Sequence, residues 1–163
     1  MNIAIPCRSF AGAVWTGMVA LICISAQSQS LFEADESSGH IYEFAPNGAQ
    51  STFASGLAIP FALAFDNTGN LFEADAGSGT IYKYTPNGTQ STFFASEPFF
   101  PVALAFNSAG DLFAGCLTDD NESATGGYIL EITPSGVKST FASSFGEPRG
   151  LAFQPGTGLP AGT

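Results

Sequence analysis

Positive charge is what this sequence most lacks. Four Lys and Arg stand against 14 Asp and Glu in 163 residues, a formal net charge of -10. Nucleic acids and anionic membrane surfaces both recruit basic faces, so the composition excludes either as a direct partner. Charge of any sign is thin, at 11% of residues against roughly 25% in an average globular protein. Cysteine is nearly absent beyond the N-terminal segment: of three, Cys7 and Cys23 fall inside it and Cys116 stands alone. One thiol cannot form an internal disulfide, so packing must hold the fold even in an oxidising compartment. His40 is the single histidine, which leaves no paired-histidine metal spacing, and no phosphate-binding loop, Rossmann fingerprint or G-x-S-x-G nucleophile elbow is present.

What is abundant points to architecture. Hydrophobic residues make up 45% of the chain, with 16 Phe, 19 Gly and 10 Pro. That is too aromatic for disorder. Phe packs on pleated surfaces and Gly supplies positive-φ turn positions, so the mixture suits many short strands joined by tight turns.

Residues 1–26 differ from the rest. They hold no acidic residue, one basic residue (Arg8), and an apolar run over 10–26 that ends in small side chains. This is the pattern of a secretory signal peptide, with cleavage after Ala26 or after Ser28 both compatible. An uncleaved anchor is the alternative, since the run approaches the roughly 17 residues that span a bilayer. The protein is therefore expected outside the cytoplasm, secreted or periplasmic, meeting a membrane only through this segment.

Residues 27–163 repeat themselves. Leu31 opens LFEADESSGHIYEFAPNGAQSTFAS and Leu71 opens LFEADAGSGTIYKYTPNGTQSTFFAS. A third copy starts at Leu112 and resumes at Ile129 as ILEITPSGVKSTFASS, with an insertion between. The units fall near 31–70, 71–111 and 112–158, a spacing of about 40 residues. Before each new unit stands a short segment in which large and small residues alternate, as in Phe61, Leu63 and Phe65 against Ala62 and Ala64. Alternation of period two marks a strand. Asn67 to Asn70, the Gly-Ser-Gly at 77–79 and the Pro-Asn-Gly at 86–88 supply three turns, so each unit reads as four antiparallel strands. Four strands in about 40 residues is the size of a β-propeller blade. The fold class is all-β: about three four-stranded blades of a partial or open propeller, behind a hydrophobic signal helix.

The pattern GLAFD..GN.LF.AD..SG.IY...P.G..STFAS, carried by 61–96 and 102–144, resembles the NHL-repeat and gluconolactonase-like (senescence marker protein-like) six-bladed propellers. That resemblance implies a central channel, and in the gluconolactonase-like enzymes a divalent cation held there by Glu, Asn and Asp. At the corresponding inner-strand positions this sequence has Phe61 and Ala62, Val102 and Ala103, Arg149 and Gly150. None is an oxygen ligand for a hard cation. Six blades need more chain than three, so three arrangements stay open: a truncated product, an open arc, or a homodimer completing six blades.

The resemblance also implies that the second-to-third-strand turns and the connectors share the channel mouth. That would gather Asp35, Glu36, His40, Asp75, Glu97, Glu147 and Arg149 into an acidic, ligand-binding rim. The competing role for Asp35 and Asp75 is to cap their own turns. Asp119, Asp120, Asn121 and Glu122, in the one insertion, are the candidate metal ligands and would suit Ca²⁺, although an EF-hand spacing is absent. No other cofactor is implied. Two functions follow as expectations: a non-enzymatic exported scaffold that binds a protein or glycan, or a metal-dependent lactonase-type hydrolase whose missing blades supply the site.

Overall fold

The computed structural model describes residues 29–95, 99–118 and 126–154. The export segment and the insertion residues Asp119, Asp120, Asn121 and Glu122 lie outside them, as does Glu97. Among the described residues there are eleven strands, in chain order β1 (Leu31–Asp35), β2 (His40–Phe44), β3 (Gln50–Ser55), β4 (Pro60–Phe65), β5 (Leu71–Asp75), β6 (Thr80–Tyr84), β7 (Gln90–Ala95), β8 (Phe99–Phe106), β9 (Leu112–Thr118), β10 (Gly127–Ile132) and β11 (Lys138–Phe145). They form three meandering antiparallel sheets, β1-β2-β3, β4-β5-β6-β7 and β8-β9-β10-β11. Among the described residues no helix is long and apolar enough to cross a membrane.

Repeated local chemistry makes the repeated sheets. In each Pro-x-Gly turn the glycine N–H donates to the carbonyl three residues back, at 2.8 Å for Gly48 to Ala45, Gly88 to Thr85 and Gly136 to Thr133. Those glycines sit at φ +81, +82 and +82°, just past a proline whose fixed φ suits the second turn position. Irregular register recurs between Ile41 and Tyr42, Ile81 and Tyr82, and Ile129 and Leu130. A bulge at the same place in every sheet adds the same twist to each.

The sheets stack face to face. Ile41, Leu71 and Tyr84 form one buried cluster with Phe32, Phe53, Leu57 and Leu63 between the first and second sheets. Phe72, Ala74, Ile81, Leu104, Leu112, Leu130 and Ile132 form the other, between the second and third. The large/small alternation of β4 is used across the two interfaces: Leu63 packs toward the first sheet, while Ala62 and Ala64 pack toward the third.

Phenylalanine marks each sheet identically. The ring of Phe32 meets Phe53 at 5.1 Å and Phe65 at 5.2 Å. Phe72 meets Phe93 and Phe106 at 4.9 Å each. Phe113 meets Phe141 at 5.0 Å and Phe153 at 4.8 Å. All are edge-on contacts, the geometry that a ring's positive edge and negative face favour. In each trio one ring comes from the second strand, one from the outer strand and one from the inner strand of the next unit. The sequence reads 151–153 as such an inner strand, but the structure leaves these residues outside any sheet. They have no adjacent strand to pair with among the described residues, yet Phe153 already occupies the inner-strand ring position.

Candidate functional site

Asp35 and Asp75 occupy the same position in identical LFEAD strands, and their surroundings differ. Asp35 Oδ1 accepts hydrogen bonds from the backbone N–H of Ser37 (2.9 Å) and Ser38 (3.3 Å). The Ser38 hydroxyl and these amides hold its carboxyl below the usual range. Asp75 is buried. It accepts from Ser78 N–H in its own turn (3.1 Å), and also from Ala58 N–H (2.8 Å) and Ile59 N–H (3.0 Å) in the connector between β3 and β4. One carboxylate thus ties the second sheet to the segment arriving from the first, leaving little capacity for a ligand.

His40 lies opposite Asp35 in register. Its ring stacks on Tyr42 at 5.6 Å, and its buried Nδ1 has no hydrogen-bond partner among the described residues. Glu36 is exposed on the same turn. Glu147 and Arg149 form an exposed pair, with Nε to Oε2 at 2.7 Å. The Arg149 guanidinium also lies 5.8 Å from the centre of the Phe61 ring. The connector after β11 therefore reaches the inner strand of the second sheet. Asp35, Glu36 and His40 cluster on one turn, Glu147 and Arg149 on another segment, and Asp75 is sequestered. Among the described residues no three His, Cys, Asp or Glu side chains lie close enough to hold a metal ion.

The most unusual ionisable group lies deeper. Glu73 is fully buried, facing the first sheet, and among the described residues neither carboxyl oxygen has a hydrogen-bond partner. Burial, and secondarily the neighbouring Asp75 carboxylate, push it up to about 9. The Tyr84 hydroxyl is also buried without a partner among the described residues. Burial, with Glu73 contributing, raises it as well. In the sequence Glu73 stands only as one letter of the repeated LFEAD motif. The available signal was the two-residue period: Leu71, Glu73 and Asp75 share one face, and in a middle blade both faces are covered. Cys116, at the Asp75 position of the third unit, is buried and its thiol is pushed up to about 11 by that burial. A thiol so placed is a weak nucleophile.

No protein-family model matches the chain, and no curated protein matches it in sequence. Solved structures do match in fold. A protein described as a gluconolactonase superposes with a TM-score of 0.57 at 22% identity, over 73% of this chain and 40% of its own. A gluconolactonase from Xanthomonas campestris gives 0.61 at 14%, over 71% and 44%. A luciferin-regenerating enzyme gives 0.60 at 18%, over 71% and 40%. The fold is that of gluconolactonase-like β-propellers, and the chain spans less than half the length of each of these three.

Proposed function

We propose that the protein is a lactonase-type hydrolase built on a gluconolactonase-like propeller, with this chain providing three of its blades. The carrying observation is the shared fold: structures described as gluconolactonases superpose over more than two thirds of this chain. A divalent cation of the kind the architecture implies does not fit the described residues. Asp75 is consumed by three backbone amides, and the inner-strand positions present Phe61, Val102 and Arg149. In this reading the oxygen ligands come from elsewhere, either the acidic residues Asp119, Asp120, Asn121 and Glu122 or blades that this chain does not contain.

The same consumption of carboxylates favours a second reading, a non-enzymatic exported scaffold whose rim binds a protein or glycan. Lactone hydrolysis by the full chain, with and without added Ca²⁺ and alongside elemental analysis of bound metal, separates the two. Turnover with stoichiometric metal supports the hydrolase; neither turnover nor metal leaves the scaffold. Calcium titration calorimetry of Asp119→Ala/Asp120→Ala against the parent then tests the loop, with identical heats removing it from the site.

A further inference from the structure

The three units present two internal sheet-to-sheet interfaces, and the outer faces of the first and third sheets are the two halves of that same interface. On the first sheet, Leu31 is 68% exposed, whereas its counterparts Leu71 and Leu112 are 1% and 0% exposed against a preceding sheet. On the third sheet, Phe141 is 60% exposed, whereas its counterparts Phe53 and Phe93 are partly covered. An exposed apolar face of this kind marks an interaction surface. The internal repeats show what kind of surface covers it: the Leu71 face of the second sheet lies on the first, and the Leu112 face of the third lies on the second.

The backbone edges match in the same way. Among the described residues β1 is paired on one edge only, with β2, while β5 and β9 are each paired on both. Residues 149–153 have inner-strand composition and no strand partner among the described residues, and Phe153 already rests on Phe113 as Phe65 does on Phe32 and Phe106 on Phe72. The two inner strands share one register, with Pro60 opposite Asp75, Leu63 opposite Glu73 and Phe65 opposite Leu71, and Pro101 opposite Cys116, Leu104 opposite Ala114 and Phe106 opposite Leu112. Carried to the unpaired segments, that register sets Pro148 opposite Asp35, Leu151 opposite Glu33 and Phe153 opposite Leu31.

We propose that two copies of this chain close one ring by exchanging strands, residues 149–153 of each adding to the free edge of β1 in the other. Both contacts are head to tail, and a head-to-tail interface yields a closed ring when its rotations sum to a full turn. Each copy brings eleven strands and lends the twelfth, giving six four-stranded blades, and backbone pairing to an exposed edge is an established recognition mode. Ring closure of this kind involves backbone edges and apolar faces only and is independent of the hydrolase reading.

Native mass spectrometry and sedimentation of the full chain, produced with its N-terminal segment and recovered after any processing, are expected to show a dimer at about 20 μM. Leu31→Glu places a charge on a side chain that is exposed in the single copy but buried in the ring. It is expected to raise the dissociation constant about 100-fold or more with an unchanged far-UV spectrum, and to speed hydrogen exchange of the β1 amides. Phe141→Ser, on the receiving face, is expected to do the same. A monomeric parent, an open ladder of larger species, or a dimer indifferent to both substitutions would overturn the proposal.

Discussion

Glu73 makes stability depend on pH in an unusual direction. A carboxyl whose folded pKa lies above its unfolded value binds more protons folded than unfolded, so stability falls as pH rises between the two. With Glu73 moved from 4.5 to about 9, the slope in that window is about 1.4 kcal/mol per pH unit. Moving from pH 5 to pH 7 then removes about 3 kcal/mol, a large share of the roughly 5–15 kcal/mol that holds a typical domain. Asp35 and Asp66 work oppositely. Both are lowered from 3.8, Asp66 because hydrogen bonds from Asn70 and Thr68 together outweigh its burial. Their stabilisation is present above the unfolded pKa and is lost as pH falls through the folded one. The stability maximum is therefore expected between about pH 4 and 5. Glu73→Gln keeps the shape without the ionisation, and Glu73→Leu also removes the unpaired polar atoms. In urea unfolding followed by circular dichroism at pH 5, 6, 7 and 8, the parent should weaken steadily. Both variants should lose that slope and exceed the parent by about 3 kcal/mol at pH 7. A parent whose stability changes by less than about 0.5 kcal/mol over this range, or a Gln variant retaining the slope, refutes the placement of an uncompensated carboxyl between the sheets.

Other perturbations follow from the same contacts. Asp75→Ala strips the acceptor from Ser78, Ala58 and Ile59 N–H and should cost about 2 kcal/mol in denaturant unfolding. It should also lower the pH at which Glu73 ionises, because a like charge is gone. Asp35→Ala, which loses only contacts within its own exposed turn, should destabilise less. Phe72→Leu breaks two edge-on ring pairs and should cost about 2 kcal/mol; Phe32→Leu, less deeply buried, should rank below it in the same assay. The Cys116 thiol, buried and raised to about 11, should resist a thiol-labelling reagent at pH 8 in the native protein and react fully in urea. Fast native labelling would contradict its enclosure. Gly127→Ala would drive a Cβ into the Gly146 carbonyl and should depress the melting temperature, whereas Gly150→Ala, with open space around it, should not.

The strands were legible because each unit carries its own punctuation. Alternation at 61–65 marked β4, and the Pro-x-Gly turns fixed where β2, β6 and β10 end. The Gly-Ser-Gly at 77–79 marked the turn before β6, which starts at Thr80, paired with Asp75 across that turn. Residues 151–153 were legible as a strand by composition but are unpaired among the described residues, since pairing needs a neighbour that composition cannot supply. The rim was less legible for a related reason. The resemblance placed Asp35 and Asp75 on one surface, but a side chain's role here depends on whether another sheet follows or precedes it.

The two LFEAD strands show this dependence most directly. Their five residues are identical and their local turns nearly so, yet in β1 the Leu31, Glu33 and Asp35 face is open, while in β5 every residue is buried. The same glutamate is a solvated acid at 33 and an enclosed carboxyl at 73; the same aspartate caps one turn at 35 and crosslinks two sheets at 75. In the third unit the two positions are Ala114 and Cys116, both buried and without charge. A strand retained unchanged on an exposed face and in a covered one is tolerated where the covered copy bears the cost of a neutralised acid.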